Sequence, residues 1–439
     1  MFRSALSAGM LVFAVGCTQH PEAPAYPDRP SSPDDIRRSN AFVAEASAAL
    51  GEGDVEGYRV RMDSAHTLRP QQAVYLFHAG RSRLAAGDTL QAMTLLDVFA
   101  GMGMTRDLAA DPVFAGLLER DPFRRVSEAL TRNAAPIGVV WTVAEGGSPD
   151  LVPEGVARDE TGQRWFIGSV REGVILELAE DGIRTLVEGL PSVMGMTWVE
   201  GRLYAAVTRG PNLASETEWE SGVVVVDPSS GEVVHHIRIP DAEPVVDADG
   251  TAPGAWPGDL VVAADGTVYV SDSLRNVIWR ARPGMDVFEA AVSSPWFASL
   301  QGLTFLEDGQ TLVVADYTAG LFRVDPEEGT ATRMRVPYGQ TLLGVDGLYR
   351  GGGGLVAVQN GTAPQRILHV RLSDDARDVV SITVLAANQP EFDEPTLGVV
   401  IDTSFVFVAN SHWGHFTDGA QLDTDRDRSA PRLMAVRLP

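Results

Sequence analysis

From Gly138 onward, apolar residues come in short runs of Val, Ile, Leu, Tyr and Phe, separated by D-G, P-G and G-G pairs. This spacing predicts strands joined by tight turns. The runs are self-similar. P-E-G-V-A-R-D-E-T-G-Q-R-W-F-I-G-S from Pro153 returns as P-G-D-L-V-V-A-A-D-G-T-V-Y-V-S-D-S from Pro257 and as L-Q-G-L-T-F-L-E-D-G-Q-T-L-V-V-A-D from Leu300. A looser copy, V-D-G-L-Y-R-G-G-G-G-L-V-A-V, starts at Val345. Each copy sets a polar residue beside Gly, then a strand, a turn and a second strand ending in a small or acidic residue. A period of roughly 40–50 residues with turns inside each unit predicts a β-propeller. Unit starts fall near Glu154, Met194-Gly195, Asp259, Gln301-Gly302, Asp346-Gly347 and Leu397-Gly398, which gives six blades. The second unit is lengthened by insertions over Gly210–Glu220 and Asp241–Ala255. Val139–Val143 and Leu433–Leu438 are both β-like. They are expected to share one blade, closing the ring and removing its open edge. The expected class is mainly β: a six-bladed propeller over residues 138–439, preceded by a small α-helical domain.

Upstream the period changes. Over residues 36–133, apolar and small residues recur at spacings of three and four, as in Phe42, Val43, Ala46, Ala49 and Leu50, and again in Val74, Leu76, Phe77, Gly80 and Leu84. This is helical patterning. Gly53-Asp54 and Gly87-Asp88 end comparable runs 34 residues apart (87 − 53). That is the tetratricopeptide period, and Leu76, Ala79, Gly80, Gly87 and Ala92 resemble that repeat's small-residue pattern, with Arg83 where an aromatic is usual. Two units are too few for a free superhelix. A cap packed on the main domain and a peptide-binding module are both open. Asp111-Pro112 and Asp121-Pro122 put proline where short helices can start.

Charge narrows the partners. The net charge is -24, so there is no cation excess to neutralise phosphates, and nucleic acid is excluded as a partner. All 35 basic residues are Arg, which removes Schiff-base and P-loop lysine chemistry. The single cysteine, Cys17, excludes internal disulfides and thiolate clusters. It follows Arg3 and an apolar stretch, Ala5 to Val15, too short to span a bilayer. The ending Ala14-Val15-Gly16-Cys17 resembles a bacterial lipobox, which implies a signal peptide over 1–17 and a lipidated Cys17. The Pro-rich stretch 18–35 reads as a tether. The expected location is the bacterial cell envelope, with the protein held to a membrane through a lipid anchor.

The motifs at Pro153-Glu154-Gly155, Pro257–Asp272, Gln301–Asp316 and Val345–Leu348 resemble the gluconolactonase, regucalcin and senescence-marker-protein group of six-bladed propellers, and share parts of the NHL pattern. The resemblance covers roughly residues 150–410. It implies a divalent cation on the central axis, Ca²⁺ or Zn²⁺, held by Glu154, Gln301 and Asp346. Gln301 stands where the group has Asn, and Gly258 stands where the group has a substrate-contacting Asn. Asp259 beside it would orient substrate or water, and Asp346 would also act as base. The implied activity is lactone or ester hydrolysis on a small-molecule ligand. The alternative is a non-catalytic scaffold that binds a partner protein or peptide at the membrane surface. Gln offers a carbonyl oxygen as Asn does, but on a longer stem. Two carboxylates facing one channel repel, so a cation or an arginine is expected between them. Without one, Glu154, Asp259 and Asp346 read as caps of backbone amides in the inner turns.

Other polar clusters read as structural. His412-Trp413-Gly414-His415 spaces two histidines three apart, but no third ligand lies nearby in the sequence, so it reads as a loop. Asn410 reads as a turn cap. Asp423, Asp425 and Asp427 open like a calcium loop, but Arg428 replaces its Gly and Met434 its Glu. His235-His236 points one ring to each face of a strand. Gly351–Gly354 is a hairpin turn with no helix after it, and no G-x-S-x-G elbow occurs. Trp256, Trp296 and Trp413 fit either a ligand platform or blade packing.

Overall fold

The computed structural model describes residues 31–180, 182–209, 217, 219–240, 254–417 and 421–439. Cys17, the signal peptide and most of the tether lie outside them, as do the central parts of both blade 2 insertions.

Six four-stranded antiparallel sheets form the propeller. Their innermost strands are Pro153–Arg158, Ser192–Val199, Pro257–Val262, Leu300–Phe305, Val345–Gly351 and Gly398–Ile401, for blades 1 to 6. Neighbouring innermost strands touch around the ring, and that of blade 6 meets that of blade 1. In the sixth sheet the order runs Gly398–Ile401, Ser404–Val408, Arg432–Arg437, Val140–Glu145. The first strand of the chain therefore pairs with the last, as the sequence predicts, and seals the ring.

The alternating apolar positions fill the spaces between blades. Phe166, Val193, Leu203 and Val224 lie between blades 1 and 2. Val356, Ile367, Phe405 and Phe407 lie between blades 5 and 6. Burial of each such side chain contributes about 1.5–3 kcal/mol.

Five of the six innermost strands slip register at their polar-glycine pair, at 153/156, 193/196, 257/260, 300/303 and 345/348. Such a bulge re-aims side chains, and here it lies where the strands converge. The glycines are needed for close approach. A Cβ on Gly155 would collide with the Met194 carbonyl oxygen of blade 2, and one on Gly302 with the Leu348 amide nitrogen of blade 5.

The acid that ends the second strand of a repeat has a separate task. Asp316 takes four backbone amides: Ala298 and Ser299 on one oxygen, Thr318 and Ala319 on the other. Asp272 accepts from the Trp256, Leu274 and Arg275 amides and from the Trp279 indole. Both tie the loop entering a blade to the turn after its second strand.

Helices α1 (Pro33–Gly51), α2 (Val55–Leu68), α3 (Ala73–Ala85), α4 (Thr89–Gly101) and α5 (Asp121–Asn133) precede the propeller. α1 starts inside the stretch expected to be tether. Ser32 and Asp35 cap each other's amides there, with Pro33 in the first turn. Asp54 and Asp88, from the two Gly-Asp pairs, are the N-caps of α2 and α4. The helices are docked on the propeller. Ile36 joins the core between blades 3 and 4. Arg69 Nη2 donates to Thr318 O at 2.6 Å, the Thr105 amide to Ala363 O at 2.8 Å, and Arg366 Nη1 to Met102 O at 2.8 Å. Thr318 and Ala363 lie in turns between second and third strands, at the blade end where the innermost strand begins. The helices thus cover blades 4 and 5 on the face that carries the polar-glycine pairs.

Candidate functional site

Glu154, Gln301 and Asp346 occupy the same position in the bulges of blades 1, 4 and 5. Glu154 and Asp346 are buried. Glu154 Oε2 accepts the Trp413 indole N–H at 2.6 Å, and its backbone oxygen accepts the Thr396 hydroxyl at 3.1 Å. Asp346 Oδ2 accepts from Asn360 Nδ2 at 2.7 Å, and the same amide donates to Pro395 O at 3.1 Å. Gln301 leans toward blade 3. Its Oε1 lies 3.5 Å from Ser273 Oγ and over Gly258, in the space that the missing side chain at 258 leaves open. The longer amide and the absent one compensate sterically.

Asp259 sits one place later in its bulge, in the slot that glycine fills in blades 1, 4 and 5. Its carboxylate packs against Gly195 of blade 2, and Oδ1 accepts the Leu260 amide at 2.8 Å. Among the described residues, Asp259 Oδ2 is buried without a hydrogen bond, and so is Asn360 Oδ1.

Burial and mutual repulsion govern these acids. Burial pushes the Asp259 carboxyl up to about 7, opposed by the Leu260 amide, aided by the charge of Asp346 and opposed again by the Leu303 amide. Burial raises Asp346 to about 7 as well, opposed by Asn360 and aided by Glu394. Glu154 is raised well above its ordinary value by burial and then by Asp346; the Trp413 hydrogen bond opposes the rise, and Glu394 and Asp259 add to it. Burial, then Asp346 and Glu394, keep the Tyr317 hydroxyl protonated. Among the described residues, no arginine pairs with Glu154, Asp259, Asp346 or Glu394. The described residues do not supply the arginine that the sequence left as one of two expectations.

Two loops of blade 6 frame this end. The entry loop brings Asp393 and Glu394, and the loop after the second strand brings His412 to His415. Glu394 Oε2 accepts the Gly414 amide at 2.8 Å. Asp393 Oδ2 lies 2.8 Å from His412 Nδ1 and 3.0 Å from His415 Nε2. The third ligand that the sequence reading lacked is therefore supplied from about twenty residues upstream. Asn410 does not cap its own turn: it accepts from the Arg432 amide and donates to Ser429 Oγ and Ala430 O, tying its loop to the segment that enters the last strand. Of the site residues, Asn360, Asp393, Glu394 and Tyr317 were not legible. Asn360-Gly361 reads as a turn signal, and Asp393-Glu394 as part of a polar loop.

No family model matches the chain, and no curated protein sequence matches it. Among solved structures, it is similar to the PQQ-bound aldose sugar dehydrogenase of Streptomyces coelicolor, at 14% identity and a TM-score of 0.45, over 69% of this chain and 99% of that one. A calcium-binding protein, regucalcin, from Agrobacterium tumefaciens strain C58 gives 14% and 0.45 over 66% and 93%. A putative oxidoreductase (glucose dehydrogenase) from Thermus thermophilus gives 17% and 0.47 over 68% and 99%. None of these likenesses bears on chemistry.

Proposed function

We propose that the blade ends around Glu154 and Asp346 bind a divalent cation together with a small polar ligand, and that the protein hydrolyses small lactones or esters there. One observation carries this reading. Three carboxylates, Glu154, Asp259 and Asp346, are buried within electrostatic reach of one another, without a basic partner among the described residues and without all three coming within 4.8 Å, and two acceptor atoms, Asp259 Oδ2 and Asn360 Oδ1, lie buried without a hydrogen bond there. An oxygen-only, anionic and donor-poor site suits a hard cation, Ca²⁺ before Zn²⁺. Glu154 and Asp346 would hold it, with the Asn360 oxygen beside them; Gln301 reaches it only by leaving Ser273.

A bound cation would supply polarisation of a carbonyl oxygen. The chain supplies the rest. Asp346, whose rise belongs to the metal-free site and would be reversed by a bound cation, would take a proton from water as its carboxylate. The protonated Tyr317 offers a hydroxyl beside the acids, and Asp259 orients water or substrate. The reading also has Cys17 lipidated, with the tether holding the protein at the envelope.

The test is metal analysis of the chelator-stripped full chain after Ca²⁺ loading, beside Glu154→Gln and Asp346→Asn. The expected result is one ion for the native protein and loss of it in both variants, with lactone hydrolysis lost in parallel. Unchanged melting with EDTA and with added Ca²⁺ would remove the basis for the proposal.

A further inference from the structure

We infer that Asp393, His412 and His415 form a second metal site, for a transition ion of the Zn²⁺ type, beside the oxygen-rich one. Among the described residues, these are the only three His, Cys, Asp or Glu side chains whose ligand atoms all lie within 4.8 Å of one another. Tetrahedral Zn²⁺ with bonds near 2.0–2.1 Å separates its ligand atoms by about 3.3 Å. The present contacts of 2.8 and 3.0 Å need to open by only a few tenths of an ångström.

The donor pattern points the same way. His412 Nε2 lies 3.1 Å from the Ser429 carbonyl oxygen, so it carries the proton. The neighbouring Asn410 amide spends its hydrogens on Ser429 Oγ and Ala430 O. His412 Nδ1 then meets the Asp393 carboxylate at 2.8 Å either through a second ring proton or through a metal ion bound to both. The Ser429 contact is the kind of outer hydrogen bond that fixes a ligating histidine's tautomer. The backbone is held to shape here too. His412 (φ 62°) and Glu394 (φ 63°) are non-glycine residues in the left-handed region, a conformation that costs about 1–3 kcal/mol and persists only where its surroundings impose it. Both histidines are buried, while Asp393 is 44% exposed and gives an ion its way in. Three protein ligands leave a fourth position for water. Trp413, between the two histidines, donates to Glu154, so an ion here would also fix a wall of the first site.

The test loads the chelator-stripped full chain with Co²⁺ or Zn²⁺. One Co²⁺ is expected per chain, with the visible d–d bands of four-coordinate Co²⁺ bearing imidazole, displaced by Zn²⁺. His415→Gln and Asp393→Asn should each weaken uptake at least about 100-fold while circular dichroism and melting of the metal-free protein stay native. Glu154→Gln/Asp346→Asn should keep the Co²⁺ bands, which separates this site from the Ca²⁺ site. Folded native protein that takes up no Co²⁺ or Zn²⁺ overturns the inference, as does undiminished uptake by folded His415→Gln.

Discussion

Stripped of divalent cations, the propeller should lose stability as pH rises, and Asp259 offers a way to isolate the effect. Its carboxyl is pushed up to about 7 in the folded chain, against an ordinary value of 3.8. Between those values the folded state holds a proton that the unfolded state has released. The stability this contributes is fully present below about 3.8 and is lost as pH climbs through about 7. The whole gap corresponds to about 4 kcal/mol, and the part lost between pH 5 and pH 8 to about 2–3 kcal/mol. Asp259→Asn keeps an oxygen for the Leu260 amide and removes the titration. The difference in unfolding free energy between variant and native protein should therefore move by about 2–3 kcal/mol in the variant's favour from pH 5 to pH 8. Any fixed cost of the new amide cancels in that comparison. Urea unfolding in EDTA at pH 5, 6.5 and 8, followed by tryptophan fluorescence, measures it. Added Ca²⁺ should then stabilise the native protein at pH 8 more than the variant. A difference that stays constant from pH 5 to pH 8 would refute the reasoning, because Asp259 would then not be a buried acid relieved by protonation.

Gly302→Ala should cost about 3 kcal/mol or more, because its Cβ meets backbone of blade 5 rather than a movable side chain; Gly51→Ala, with open space around it, should be neutral or slightly stabilising in the same thermal melts. Arg366→Met strands Met102 O and Gln359 Oε1, and should cost about 3 kcal/mol and open the Gly101–Leu108 segment to thermolysin; unchanged cleavage would show that the helices are not anchored there. Trp413→Phe removes the indole donor to Glu154 and should weaken Ca²⁺ binding about 10-fold by titration calorimetry while leaving the fold intact.

Much of the ring was legible because its signals are local. Strand period, D-G turns and polar-glycine pairs depend on neighbours a few residues apart, and the six starts at Glu154 through Leu397-Gly398 each fall at an innermost strand. The pairing of Val140–Glu145 with Arg432–Arg437 was also legible, since a ring leaves one partner for each end. The docking of the helices was left open, because it rests on contacts such as Ile36 in a blade core and Arg366 on Met102 O, between residues hundreds apart.

The site divides along the same line. The sequence by itself determined that acids recur beside glycine, and that Gln301 and Gly258 depart from the pattern of the group they resemble. It could not separate Asp346, which among the described residues has one side-chain amide and no cationic side chain against it, from Asp316, whose four backbone amides make it a structural clasp. Nor could it join Asp393 to His412 and His415, or send the Gln301 amide over Gly258. Local patterning sets which residues sit at a strand's start. Ring closure decides which of those starts face one another, and only that encounter fixes a carboxylate's partners, burial and charge.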